Sequence, residues 1–441
     1  GIIAVFVLGA NILRRKIRFI RSTMIPTAVL AGFILLVLRQ LGALSLSSAF
    51  LETVTYHALA LGFIAMALRI PSEEGGVSAR EGSRSGALIV STYLVQGLTG
   101  LFISIVLAHT IMPSFFDASG ILLALAYGQG PGQANNVGAT YEALGFAGGK
   151  SFGLSIAAAG YLCACIVGVI YINMLKKRGV LDGKMREDVS GSVSVDTFQS
   201  KDEIPIASSV DKLSVQVALV FGTYLLTYLV TLGITVLLER VAPGLAATVS
   251  TLLWGFNFII GSMVAAVVGV VIKKLRSAKV MNRQYQNNYL LSRISGLAFD
   301  LMIVAAIASI EINDLAGLWV PFAIMAVTGG IVTFIYLYFM SKRLYKGYFY
   351  EGFLSMYGML TGTISSGVLL LRELDPDMET PASSNLVKGS SFGIVFGAPM
   401  LLVISYAGTG DVQALISCGI LVVYLAVLLG YIALMGKRKK K

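Results

Sequence analysis

Charged side chains are scarce in this chain, and so are the residue types that build soluble catalytic and metal sites. Asp, Glu, Lys and Arg make up 13% of the 441 residues, against about a quarter in soluble proteins. There are two histidines and three cysteines. The cysteines, Cys163, Cys165 and Cys418, all lie in apolar runs, so their spacing predicts neither a disulfide framework nor a zinc site.

Apolar residues dominate the composition. They make up 56% of the chain, and the mean hydropathy is +0.81. This predicts an all-α polytopic membrane protein in a lipid bilayer. The net charge of +11 could suit nucleic acid, but Lys and Arg occur in short clusters between apolar runs. Such clusters indicate membrane topology, so we expect no nucleic-acid partner.

Eleven apolar runs predict about 11 transmembrane helices. The runs cover residues 1–13, 23–41, 50–69, 86–109, 150–175, 213–237, 248–272, 291–310, 318–340, 389–407 and 411–435. Two further segments, near 119–145 and 350–373, are apolar but interrupted, and they need a separate interpretation.

These two interrupted segments carry one motif that occurs twice. LALAYGQGPGQANNVGAT around Tyr127 returns as FLSMYGMLTGTISSGVLL around Tyr357, and Ser-Phe-Gly follows each copy, at Ser151 and at Ser391. Both copies place Gly and small polar residues inside an apolar segment. Corresponding Gly-interrupted segments in two halves of a membrane protein indicate the binding site of a transporter.

The basic clusters decide how the two segments cross the bilayer. Clusters lie at residues 14–21, 80–84, 176–178, 273–283, 342–346 and 437–441, whereas Lys and Arg are missing from the sequence at 42–49, 110–118, 312–316 and 408–411. If each motif segment enters and leaves on one side, all basic clusters fall on one face of the membrane. We therefore predict two re-entrant hairpins, at 119–145 and 350–373, whose tips meet near the midplane.

The resulting architecture is an inverted-topology repeat. Residues 1–178 form the first repeat, 179–212 a cytoplasmic linker, 213–408 the second repeat, and 409–441 an extra C-terminal transmembrane helix with a basic tail. The positive-inside rule predicts an N-terminus outside and a C-terminus in the cytoplasm, in the inner (plasma) membrane. For the extra helix we expect a role in packing or in contact between protomers.

In the hairpins the chain resembles the bacterial sodium/glutamate symporter family. The sequences AYGQGPGQANN and MYGMLTGTISSG carry the resemblance, together with a turn at Glu142 or Glu373 and the Ser-Phe-Gly helix that follows. Ile25-Pro26 and the Leu-Ala-Phe sequence ending at Phe299 are also similar. The resemblance covers roughly residues 20–407 and implies a homodimeric, sodium-coupled secondary transporter with an elevator movement. The family's hairpins contain histidine, whereas residues 128–132 and 358–362 contain none, which leaves the substrate open.

The hairpin tips supply the groups that such a site needs. Sodium is a hard cation that takes oxygen ligands, and a helix N-terminus favours a carboxylate. We expect substrate to bind to residues of both tips, namely Gly128, Gln129, Gly130, Gly132, Gln133, Asn135, Asn136, Gly358, Thr361, Gly362, Thr363, Ser365 and Ser366. We expect sodium to bind among Asn135, Asn136, Asp300, Thr363 and Ser365.

Three acidic or basic residues near the spans have more than one interpretation. Asp300 stands in an apolar run, where a carboxylate is a functional hypothesis by default. It could bind sodium, accept a proton, or form a structural hydrogen bond. For Glu142 we favour helix capping or solvent exposure over ion coordination. For His57 we favour a packed or hydrogen-bonded role over a role as a ligand.

Together these features predict a sodium symporter of a small anionic substrate, with glutamate or a related dicarboxylic amino acid first, and with sodium as the coupling ion. A 2-hydroxycarboxylate carrier and a proton-coupled antiporter of similar architecture are the alternatives, with a channel more distant. We expect no organic cofactor and no enzymatic activity. The G-x-S-x-G sequences at 149–153 and 389–393 lack the strand and the triad of a nucleophile elbow.

Overall fold

The computed structural model describes residues 1–17, 25–70, 78–179, 212–241, 250, 253–254, 257–281, 283–375 and 380–437. Over these residues it contains the α-helices α1 (Ile2–Lys16), α2 (Thr27–Gln40), α3 (Ser48–Ala67), α4 (Ala79–Thr110), α5 (Ile121–Leu123), α6 (Pro131–Ala143), α7 (Gly149–Lys177), α8 (Lys212–Val241), α9 (Asn257–Ser277), α10 (Asn288–Ala308), α11 (Trp319–Leu344), α12 (Phe349–Thr361), α13 (Ile364–Arg372), α14 (Ala382–Ala407) and α15 (Asp411–Lys437). Short 3-10 turns precede α5 and α11. The predicted linker falls almost wholly on residues 180–211, outside the described residues.

The prediction of an all-α polytopic membrane protein is confirmed. Among the described residues, nine helices are long and apolar enough to cross a membrane. A helix lies in each of the eleven predicted runs, but α1 and α2 have 15 and 14 residues. At about 1.5 Å of rise per residue, both are shorter than a hydrocarbon core of about 30 Å.

Helix α4 begins seven residues before the predicted run because of a capping box. The Ser78 side chain accepts from the backbone N–H of Glu81, and the Glu81 side chain accepts from the backbone N–H of Ser78. These two bonds satisfy donors that a helix N-terminus leaves open. The helix can therefore extend beyond the apolar residues.

The chain divides into two compact units. The first unit comprises Gly1–Glu52, Gly75–Arg186 and Ile303–Lys441, and the second comprises Thr53–Glu74 and Glu187–Met302. This division is based on contacts between residues in space, whereas the predicted repeats are based on sequence similarity and membrane topology. The repeat boundaries therefore stay a prediction.

The second unit packs parts of α3 and α10 with α8 and α9. Its buried core consists of Ile64, Ala65, Leu68, Val220, Ala265 and Leu291. The hydroxyls of Thr223, Thr227 and Thr231 donate to carbonyls one turn earlier in α8, so these buried groups are satisfied within their own helix. His57 lies in this unit, with Nδ1 2.6 Å from the Tyr224 hydroxyl, in agreement with a hydrogen-bonded role.

In the first unit, α4 is the central helix against which α11, α14 and α15 pack. A Cβ added to Gly100 of α4 would lie 1.9 Å from the carbonyl oxygen of Gly120, so the two backbones are in direct contact. The extra C-terminal helix α15 is part of this packing, since the Tyr431 hydroxyl lies 2.9 Å from Ser83 Oγ. Contact between protomers through α15 stays a prediction.

Helix α7 lies against both interrupted segments through small residues. A Cβ added to Gly153 would lie 3.0 Å from the Ala134 carbonyl oxygen in α6, and one added to Gly160 would lie 2.3 Å from the Thr361 carbonyl oxygen in α12. Small residues let helix backbones approach this closely in membrane proteins. Helix α7 therefore forms a shared wall for the two segments that carry the repeated motif.

Candidate functional site

The first interrupted segment, residues 117–143, is a broken helix that we call hairpin 1. After the short helix α5, Ala124–Gln129 form a π-helix, and Gly130 then takes φ +90° and ψ 179°. Only glycine adopts this conformation without strain. Pro131 follows at the first position of α6, where its missing N–H costs no helical hydrogen bond. The helix thus stops and restarts at Gly130.

The second interrupted segment, residues 349–372, is hairpin 2. Its first arm, α12, ends at Thr361, and α13 begins at Ile364, after Gly362 in an irregular conformation and Thr363 in an extended one. The arms pack closely, because a Cβ added to Gly367 would lie 2.4 Å from the Ser355 carbonyl oxygen. The break frees backbone carbonyls at the end of α12 and N–H groups at the start of α13.

The two breaks contact each other. A Cβ added to Gly130 would lie 3.3 Å from Thr363 Cγ2 and 3.6 Å from the Gly362 carbonyl oxygen. The tip of hairpin 1 therefore touches the tip of hairpin 2 inside the first unit. Tyr127 and Tyr357, the equivalent tyrosines of the repeated motif, are both completely buried next to these breaks.

One side chain outside the hairpins, Gln96, contacts both of them, and the sequence analysis missed it together with its partner Thr333. Gln96 in α4 donates from Nε2 to the carbonyl oxygen of Leu360 at 2.7 Å and to Thr333 Oγ1 in α11 at 2.9 Å. Its Oε1 faces hairpin 1, where a Cβ added to Gly128 would lie 2.8 Å away. A glutamine within the apolar run of α4 was the available signal.

Several polar atoms near the breaks are buried and make no hydrogen bond within the described residues. They are Gln96 Oε1, both amide atoms of Gln133, Asn135 Oδ1, Thr363 Oγ1 and Ser366 Oγ. Buried polar groups are normally paired, and an unpaired one costs about 1–3 kcal/mol. All five side chains are uncharged, and most of the open atoms are oxygens. The arrangement therefore suits an oxygen-liganded cation or a polar ligand.

The other predicted site residues are placed as follows. Gly128, Gly132, Asn136, Gly358, Thr361 and Gly362 are buried in the hairpins, and Gln129 is partly buried. Thr361 Oγ1 donates to the Tyr357 carbonyl at 2.7 Å. The side chain of Ser365 lies outside the described residues. Asp300 belongs to the second unit, whereas both hairpins belong to the first.

The exit of hairpin 1 is an ion-pair cluster. Lys150 Nζ lies 3.0 Å from a Glu52 carboxylate oxygen and 3.4 Å from Glu142 Oε2. The backbone N–H of Lys150 also donates to Glu142 Oε1 at 3.0 Å. Glu142 thus caps the N-terminus of α7, as the sequence favoured. Across the described residues, no group of three or more His, Cys, Asp or Glu is placed to hold a metal ion.

No family model matches the chain, and no curated protein matches it.

Proposed function

We propose that this protein is a sodium-coupled secondary transporter of a small organic anion, with glutamate or a related dicarboxylic amino acid as the first candidate. The contact between the tips of two broken helices carries the proposal, together with the buried polar atoms beside it that make no hydrogen bond within the described residues. Irregular backbone at membrane depth is tolerated where it is buried in protein or lines a cavity. Transporter sites are commonly built from such discontinuous helices.

The tips offer both kinds of group that the cargo requires. Carbonyl, amide and hydroxyl oxygens suit sodium, and the N-termini of α6 and α13 begin at the breaks. Their open N–H groups and positive dipole ends suit a substrate carboxylate. Sodium bound beside the carboxylate offsets its charge, so the fully loaded site crosses the membrane more readily than a half-loaded one.

The membrane arrangement belongs to the proposal as well. We place both hairpins as re-entrant segments of an inverted repeat, in a homodimer within the plasma membrane. The N-terminus is outside and the C-terminus cytoplasmic, because this topology gathers the basic clusters on one face. The core carrying the hairpins moves by an elevator mechanism.

Purified protein in proteoliposomes tests the proposal. We expect an inward sodium gradient to drive uptake of labelled glutamate or another small anion from a panel that includes 2-hydroxycarboxylates. Uptake driven by a pH gradient alone would replace the proposal with a proton-coupled carrier. Single-channel conductance in planar bilayers would replace it with a channel.

A separate assay tests whether the Asp300 carboxylate binds sodium. If its carboxylate binds sodium, Asp300→Asn raises the sodium concentration needed for half-maximal uptake. If it makes a structural hydrogen bond, the variant lowers thermal stability and leaves the sodium dependence unchanged. Asp314→Asn is the control, because its carboxylate is engaged with Ser151 Oγ at 3.1 Å.

A further inference from the structure

Gln96 links the two hairpins from outside both of them. It lies in α4, is completely buried, and holds the Leu360 carbonyl and the Thr333 hydroxyl through its Nε2. Its Oε1 is buried near Gly128 and makes no hydrogen bond within the described residues. The chemistry of the Leu360 and Thr333 partners decides whether the side-chain amide atom that faces Gly128 is the oxygen or the nitrogen.

The partners fix the orientation of the Gln96 amide. A carbonyl oxygen only accepts hydrogen bonds, so the atom 2.7 Å from the Leu360 carbonyl has to be the nitrogen. The oxygen therefore points the other way, towards hairpin 1. An amide held by two hydrogen bonds presents this oxygen in one direction, and no donor within the described residues meets it.

The bond to Leu360 depends on the break in hairpin 2. In a continuous helix the Leu360 carbonyl would accept the N–H of Ile364, four residues later. Because the helix stops at Thr361 and restarts at Ile364, that carbonyl is open, and Gln96 occupies it. Gln96 is thus anchored to the broken form of hairpin 2 while its oxygen faces Gly128, two residues before the break in hairpin 1.

We infer that Gln96 Oε1 is a ligand of the coupling sodium ion and that its anchored amide makes sodium binding depend on both hairpins. The inference rests on the proposed function, since it names a residue of the cation site proposed there. A hard cation prefers oxygen ligands, and its affinity rises with the charge of the ligand set. The tip side chains are uncharged, so they suit a monovalent ion better than a divalent one.

Thermal unfolding of purified protein in sodium chloride against choline chloride measures this binding, because a bound ion stabilises the folded state. For Gln96→Leu we expect the sodium concentration that gives half-maximal stabilisation to rise by about tenfold or more, at least the loss seen for outer partners at metal sites. Ser91→Ala is the matched control, a buried α4 residue whose Oγ bonds Leu88 and Tyr336. It should lower the melting temperature and leave the sodium response unchanged.

Two further variants keep the inference testable if Gln96→Leu does not fold. Gln96→Asn retains an amide that is one methylene shorter, so it cannot hold Leu360 and present its oxygen in the same place. Thr333→Val removes one anchor and leaves the oxygen, so its loss of sodium affinity should be smaller than that of Gln96→Asn.

The outcomes separate the inference from the function on which it rests. A wild-type protein without sodium-dependent stabilisation would overturn both. A wild-type response that persists with equal sodium affinity in Gln96→Leu or Gln96→Asn would overturn the inference alone. If the Gln96 variants are no longer stabilised by substrate but keep the wild-type sodium affinity, Gln96 Oε1 is a ligand of the substrate, and the inference is overturned as well.

Discussion

Gly130 in hairpin 1 lies against Thr363 in hairpin 2, so closely that a Cβ added to the glycine would be 3.3 Å from Thr363 Cγ2. The two residues are more than 200 positions apart, and each stands at the break of its own helix. The break in one helix thus sets the space available to the other. Substitutions at this contact should act on both hairpins together.

Gly130→Ala should therefore impair transport more than its effect on stability explains. The backbone conformation at Gly130 costs a non-glycine residue about 1–3 kcal/mol, and the new methyl group would also press on Thr363. We expect uptake in proteoliposomes to fall by about tenfold or more, because small displacements at a binding site are costly.

Gly145→Ala is the control for this prediction. Gly145 has φ +106°, and a Cβ there would meet nothing within 4 Å, so it reports backbone strain without a tip contact. The double variant Gly130→Ala/Thr363→Ser removes the methyl group that the alanine would meet and should recover part of the uptake. Equal loss of uptake in the Gly130 and Gly145 variants would contradict a role for the tip contact.

Gly100, where α4 contacts Gly120, should tolerate an added side chain less than any other position in the first unit. An added Cβ at Gly100 would lie 1.9 Å from a backbone oxygen, and backbone cannot move away as a side chain can. We expect Gly100→Ala to destabilise the protein by about 3 kcal/mol or more, at the upper end of overpacking costs. The measurement is the yield of monodisperse protein and its melting temperature.

Gly222→Ala is the matched helix control for that substitution. Gly222 lies within α8, where a Cβ would meet nothing within 4 Å. Alanine should stabilise such a position by about 0.5–1 kcal/mol. Equal melting temperatures for Gly100→Ala and Gly222→Ala would contradict the close approach of the Gly100 and Gly120 backbones.

The sequence predicted the helical segments well because each is a local run of apolar residues. The repeated Tyr-Gly motifs likewise predicted interrupted helices, since Gly130 with Pro131, and Gly362, are local breakers. The early start of α4 could also have been found, because Ser78 and Glu81 have the spacing of a capping box. The side from which each hairpin enters the membrane stays a prediction.

The partners of Gln96 were beyond reach of the sequence. Its amide meets Thr333 and Leu360, which are 237 and 264 residues away, and local periodicity carries no record of such a pairing. The orientation of its oxygen depends on the identity of both partners as well. Folding therefore adds to the predicted hairpins a residue from a helix that the motifs did not single out.

Glu142 should prove to be a cap for α7 and not an ion ligand. Its Oε1 accepts the Lys150 backbone N–H, so Glu142→Ala should cost about 0.5–2 kcal/mol, the range for loss of an N-terminal cap. Glu142→Gln retains that acceptor and loses the partly exposed ion pair with Lys150, which is worth about 0–1 kcal/mol. We therefore expect Glu142→Gln to melt below the wild type and Glu142→Ala to melt lower still. A weaker sodium affinity in Glu142→Gln would contradict capping as its role.

Asp117, in the 3-10 turn that opens hairpin 1, should make stability depend on pH. Burial raises the pKa of its carboxyl, the negative charge of Asp411 raises it further, and His109 opposes them. A carboxyl whose pKa is higher in the folded state favours folding when protonated. Its contribution is therefore fully present below the unfolded pKa, near 4, and is lost as the pH rises through the folded pKa.

The melting temperature of Asp117→Asn should consequently fall less on going from acid to neutral pH than that of the wild type. Asp411→Asn should give an intermediate slope, because it removes the like charge and leaves Asp117 buried. Comparing slopes cancels any constant cost of placing an amide in the buried position of Asp117. A slope in Asp117→Asn as steep as in the wild type would show that other groups carry the pH dependence over this range.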